Sequence, residues 1–262
     1  MLDRWFIPCA ASVMLLCSCF VILCETTPTH AAMDTAPAAS QPPLTVEQVV
    51  ERLEEKNGER AAALREYSAT RDYSMQYSGF PSNHAANMVV KMHYSAPASK
   101  TFTIVSTTGF RFIIEHVFKR LMDAEREATA NPEIRRGMEL ATENYDFSMA
   151  GYENSSTGGR YILNLTPRKK GRYLYRGKIW VDDKDFAVVQ MKGQPVSDFS
   201  FWIRETNVEL TYEKVGDFWL PAENHTQSVM RLSGLAQLSI EYNDYKILKA
   251  KALSSAATVA GK

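Results

Sequence analysis

Four histidines lie beyond residue 40, His84, His93, His116 and His225, and none pairs with another at a spacing that brings two imidazoles to one metal. There is no HExxH, no HxH and no G-x-S-x-G elbow, and Gly158-Gly159 lacks the Lys-Ser/Thr that a phosphate-cradling loop requires. Asp182, Asp183 and Asp185 cluster oxygens as a calcium loop does, but without its central glycine and distal bidentate glutamate. They read instead as an Asp-rich hairpin turn. The cysteines, Cys9, Cys17, Cys19 and Cys24, all fall near the start, so the chain beyond residue 24 carries no thiol nucleophile, thiolate ligand or disulfide. Lys and Arg total 30, as do Asp and Glu, so no global field draws the protein to nucleic acid. The reading is of a non-enzyme with no cofactor.

What remains able to act is apolar surface. Phe110, Ile113, Ile114, Val117, Phe118, Leu121 and Met122 recur at helical spacing between Gly109 and Glu127. Met88, Val90 and Met92 alternate along one predicted strand, Phe102 and Ile104 along the next. The sequence places ten of these residues around an apolar cavity between sheet and helix: Met88, Val90, Met92, Phe102, Ile104, Phe110, Ile113, Ile114, Val117 and Leu121. Methionine suits such a cavity because its flexible thioether adapts to irregular apolar ligands.

The elements that position them follow from periodicity. Trp5 to Cys24 is almost wholly apolar, and small residues follow at Ala31-Ala32, the pattern of a cleaved export signal over residues 1–32. The alternatives are an uncleaved anchor or lipidation at Cys19. Residues 33–43 form a Pro/Ala linker and 249–262 a frayed tail, leaving one domain at 44–248. Thr45 is the expected N-cap of a first helix that Asn57-Gly58 ends or kinks, with a further short helical stretch from Glu59 to Arg65. Period-two alternation then predicts strands at 64–78, 87–94 and 100–106, before the helix at 109–127 and a short one after Pro132.

The second half is organised on Arg160–Met191. Three strands there, with turns at Arg168–Gly171 and Asp182–Asp185, form a meander whose central strand tolerates apolar residues on both faces, implying cover on both sides. The third runs from Phe186 to Met191, and Gly193-Gln194-Pro195 is expected to break the ladder. The basic turn Arg168-Lys169-Lys170 with Arg172 is a soluble hairpin tip or a contact for lipid head groups. Further strands are expected at 207–214, from Phe218, at 223–232 and at 236–245. About ten antiparallel strands must curl.

Gly177–Asp182 (GKIWVD), Phe186–Pro195 (FAVVQMKGQP), Phe201-Trp202 and Gly216–Pro221 (GDFWLP) resemble the outer-membrane lipoprotein-sorting (LolA/LolB-like) superfamily, and the resemblance extends over residues 44–248. It implies a mainly β (α+β) fold, a curved antiparallel sheet forming an incomplete β-barrel with helices covering its concave face. Asp182 is implied to be structural. The resemblance also implies a periplasmic carrier of a lipid acyl chain or lipoprotein, partnered by an inner- or outer-membrane protein. An RseB-like envelope-stress sensor is the alternative.

Overall fold

A computed structural model describes residues 43–80, 82–155, 158–171, 173–197, 203–231 and 234–253. The export signal, most of the linker, Arg172, Phe201-Trp202 and the end of the tail lie outside the described residues. Ten antiparallel strands form one open sheet: β1 (Leu64–Ser78), β2 (His84–Ser95), β3 (Ser99–Gly109), β4 (Tyr145–Ser155), β5 (Gly158–Pro167), β6 (Tyr175–Asp182), β7 (Val188–Pro195), β8 (Ile203–Val215), β9 (Phe218–Met230) and β10 (Leu235–Ala250). Their order across the sheet is β3-β2-β1-β10-β9-β8-β7-β6-β5-β4, so β1 and β10 pair inside the sheet, as its third and fourth strands. The edge strands β3 and β4 do not meet, and the sheet does not close into a barrel. The fold is mainly β, and the chain crosses from one edge to the other through helices.

Helix α1 (Val46–Ala63) starts at Thr45, whose hydroxyl accepts from the Gln48 N–H while the Gln48 side chain accepts from the Thr45 N–H. Two otherwise orphaned donors are thereby satisfied. The helix runs unbroken past Gly58 to Ala63, correcting the expectation that Asn57-Gly58 ends it. A mid-helix glycine costs only about 1 kcal/mol against alanine. Here the last turns are anchored by Arg60, which donates to the Asp185 and Phe186 carbonyls at 2.8 and 2.9 Å. Those carbonyls belong to the β6–β7 turn, where the Asp182 carboxylate accepts from the Lys184 and Asp185 N–H groups. Phe186, predicted to open a strand, instead takes a left-handed conformation (φ 45°) within that turn, and β7 begins at Val188. Asp182 does end its strand and organises the turn. Trp219 donates to the Asp185 carboxylate at 2.9 Å, tying the GDFWLP strand to the same corner.

Two further expectations are corrected. Gly193-Gln194-Pro195 continues β7, with Gly193 opposite Gly177 and Pro195 opposite Tyr175. A side chain at Gly177 would collide with the Lys192 carbonyl, so both glycines serve close backbone approach. Strand β6 is covered on one face only: Ile179 and Val181 are buried, but Lys178 and Trp180 on the other face remain partly exposed.

Helix α2 follows a glycine turn. Gly109 has φ +92° and abuts the Ala85 carbonyl, a position only glycine fills without collision. The helix comprises Arg111–Ile113, a π-helical stretch Ile114–Phe118 and Lys119–Ala130. A short α3 (Pro132–Met138) follows, capped by Asn131. Ile113, Ile114, Val117, Phe118 and Met122 bury against Tyr73, Met75, Met88, Val90 and Ile240. On the other half of the sheet Val49, Val50 and Leu53 of α1 bury against Tyr161, Leu163, Leu165, Ile179 and Val181. Each helix covers one half of the same face.

Candidate functional site: a cleft beside the second helix

Between the two covered halves run β8, β9 and β10. The register lays their inward residues out in rows. Thr206 stands opposite Ser228 and Ser228 opposite Ala236; Val208 opposite Thr226, Thr226 opposite Leu238 and Leu238 opposite Met75; Leu210 opposite Asn224 and Asn224 opposite Ile240. Over this floor lie His116, Val117, Arg120, Leu121 and Ala124 of α2, with Tyr173 and Tyr175 at the entry to β6. The cleft, partly open to solvent, has a volume of about 210 Å³. Its walls are apolar along β10 and at Val117, Leu121 and Ala124 of α2, with His116 and Arg120 of the same helix as its polar lining. Along β9 they are polar, and Ser228 there and Thr206 of β8 are buried with their hydroxyls 3.0 Å apart.

Of the ten residues predicted to surround a cavity, Val117 and Leu121 line this cleft. Met88, Val90, Ile113 and Ile114 are packed in the core under α2, and Met92 lies in a separate cluster with Ala63, Tyr67 and Phe218. Phe102 packs against both clusters. Ile104 and Phe110 are corrected outright, being 40% and 41% exposed. Strand β3 is an edge strand whose residues beyond Thr103 face solvent, and Phe110 precedes the first helical turn, so neither reaches the interior. Leu238, Ile240, Val208 and Leu210 were missed as site residues. Their alternation is plain in the sequence, but nothing local reveals that β10 pairs with β1 and so brings these strands beneath the gap.

A charged latch holds the helix over the cleft. Arg71, 3% exposed on the inward face of β1, donates to both carboxylate oxygens of Glu125 at 2.6 and 2.9 Å, and Lys100 adds a third bond at 2.7 Å. The Arg71 guanidinium lies between the Phe102 and Tyr242 rings, at 5.3 and 4.8 Å. Burial pushes the Glu125 carboxyl up, but the Lys100 and Arg71 charges and their hydrogen bonds outweigh it and bring its pKa down to about 2. Burial likewise raises the Tyr242 hydroxyl, against the opposing pull of Arg71.

A second surface lies at the start of α2. His84 stacks on Phe110 with centroids 3.9 Å apart, and Phe112 packs on His116 at 4.5 Å. Phe80, Phe110 and Phe112 are all exposed. Among the described residues no three His, Cys, Asp or Glu are grouped as a metal would need, and no helix is long and apolar enough to cross a membrane.

No protein-family model and no curated protein matches the chain. Solved structures do. A DUF1329 family protein from Desulfovibrio piger aligns over 77% of this chain and 92% of its own at 14% identity, with a TM-score of 0.39. An outer membrane lipoprotein-sorting protein domain from Vibrio parahaemolyticus aligns over 77% and 93% at 10% identity, TM-score 0.38. The LolA superfamily protein NE2245 from Nitrosomonas europaea aligns over 78% and 94% at 11% identity, TM-score 0.34. The structural neighbours of this chain thus include LolA superfamily, lipoprotein-sorting and DUF1329 domains, at low identity and high coverage.

Proposed function

We propose that the protein is a non-enzymatic carrier in the periplasm, exported by its N-terminal segment, that shelters a lipid acyl chain or the acyl anchor of a lipoprotein. One observation supports this above the others: the cleft between α2 and β8–β10, with Val117, Leu121, Leu238 and Ile240 on its apolar walls. Burying a methylene contributes about 0.8 kcal/mol. About eight of them would give at most ~6 kcal/mol, a dissociation constant in the tens of micromolar before the costs of association. A carrier that must release its cargo needs no more. The test is native mass spectrometry of the chain purified from the cell envelope, before and after organic extraction. An added lipid mass that extraction removes supports carriage; an identical bare mass in both preparations counts against it.

A regulatory role, sensing lipid or a protein partner, has a different observation in its favour. The aromatic row of half-buried His84 and exposed Phe110, Phe112 and His116 is of a kind that protein interfaces use as anchors. Phe110→Ser with Phe112→Ser should then abolish capture of a membrane partner while leaving lipid binding intact.

A further inference from the structure

The two edges of the open sheet are finished differently. Strand β4 carries Asp146 and Glu153, has a bulge between Met149 and Gly151, and packs Phe147 and Met149 against the core under α1. Charges and bulges keep an edge from pairing with another chain. Strand β3 has less of this protection. From Thr101 to Gly109 it carries no charge and no proline, and Thr103, Ile104, Val105, Thr107 and Thr108 are β-branched, as strands favour. Its ladder to β2 skips Val105, so a bulge is present, but an exposed valine stands there rather than a charge.

The start of β3 is covered and the rest is not. Lys100 bonds to Glu125 of α2, and Phe102 lies beneath Arg126 at 5.6 Å, whereas every residue from Thr103 to Gly109 is exposed. The exposed apolar side chains Ile104, Val105, Phe110 and Phe112 fall close together in the chain. An apolar patch along a free edge marks a site of association. The unpaired N–H and C=O groups of that edge select its occupant, because only another extended polypeptide completes the ladder. The sequence of the edge selects the source. In antiparallel self-pairing about a twofold axis a strand meets its own sequence reversed, so charges near the axis would oppose their own copies. The single charge of β3 is Lys100. With the axis at Ile104 or Val105 it falls opposite Thr108 or Phe110, and Glu125 already neutralises it.

We propose that β3 pairs with the β3 of a second copy of this chain, antiparallel about a twofold axis near Ile104 and Val105, so that two ten-stranded sheets join edge to edge. Phe110 and Phe112 of each copy flank the joint. The pairing is independent of what the cleft holds.

Sedimentation equilibrium of the purified chain over about a hundredfold range of micromolar concentrations tests it. A monomer–dimer equilibrium is expected. Val105→Lys should weaken it by about tenfold, because it sets two cations together at the axis, whereas Val105→Thr keeps the β-branch and should leave it nearly as it was. Val105 is exposed in the single chain, so at a dilution where all three proteins are monomeric their thermal unfolding midpoints should agree. The amides of Thr103–Thr108 should exchange with solvent more slowly as concentration rises. A monomeric mass at every concentration would overturn the proposal. A dimer that Val105→Lys leaves intact, or one whose β3 amides exchange as fast as the monomer's, would overturn the assignment to this edge.

Discussion

The two halves of the covered face are built differently. Under α1, contact is almost wholly aliphatic and aromatic: Val49, Val50 and Leu53 meet Tyr161, Leu163 and Leu165, and the helix is pinned at its end by Arg60. Under α2, a comparable apolar contact is supplemented by the part-buried Arg71–Glu125–Lys100 cluster, and the helix has a π-helical stretch where it borders the cleft. Such stretches are frequent at functional sites. The aliphatic seam is held by packing; at the corner that pins it, burial pushes the Asp185 carboxyl up, but hydrogen bonds from Lys214 and Trp219 and the charges of Lys214 and Arg60 outweigh it and hold it below its usual range. A helix held partly by charge can be loosened locally without dismantling the sheet.

That contrast can be broken most severely on the α1 side. Leu53→Ala removes a fully buried side chain and should cost about 3–5 kcal/mol in denaturant unfolding, with ligand affinity of the folded fraction unchanged. Arg71→Ala should cost about 3 kcal/mol, because it strips a buried charge from its partner, whereas Arg71→Met should cost much less. Hydrogen exchange sharpens the distinction. In Arg71→Ala the amides of Lys119–Ala130 should exchange faster and those of Val46–Ala63 should not.

Acid should act on the same half. The Glu125 pKa is depressed in the fold, so its stabilisation is fully present above its ordinary value of 4.5 and is lost as pH falls from there towards about 2. The carboxylate is about one-third exposed, so solvent screens the pair and the loss is smaller than a dry site would give. Glu125→Gln should flatten the stability profile between pH 4.5 and 2. The smallest effect is at the first cap: Thr45→Ala should cost about 1 kcal/mol and leave the cleft unaffected.

Much of this architecture was legible residue by residue. The alternation of Tyr67, Ala69, Arg71, Tyr73, Met75 and Tyr77 predicts the inward face of β1, and all six are buried there. Thr45 caps as its side chain and the Gln48 spacing demand, and Ile113, Ile114, Val117, Phe118 and Met122 bury as their periodicity requires. Arg71 and Glu125 were visible too, one on the inward face of a strand and the other on the charged side of a helix. Their pairing spans 54 residues, a separation no local pattern reports. The cleft was misplaced for a similar reason. Periodicity identifies which residues face inward, but which inward residues lie beneath a helix depends on strand order. Met88 and Val90 fall under α2, while Thr226 and Leu238 fall beside it.

Methyl chemical-shift mapping by NMR during a dodecanoate titration tests the central claim most directly, because both halves report in one spectrum. Signals of Val117, Leu121, Leu238 and Ile240 should move together and saturably, while those of Val49, Val50, Leu53 and Leu163 stay in place. Shifts confined to the α1 side, or none at any methyl, would contradict an acyl site beside α2.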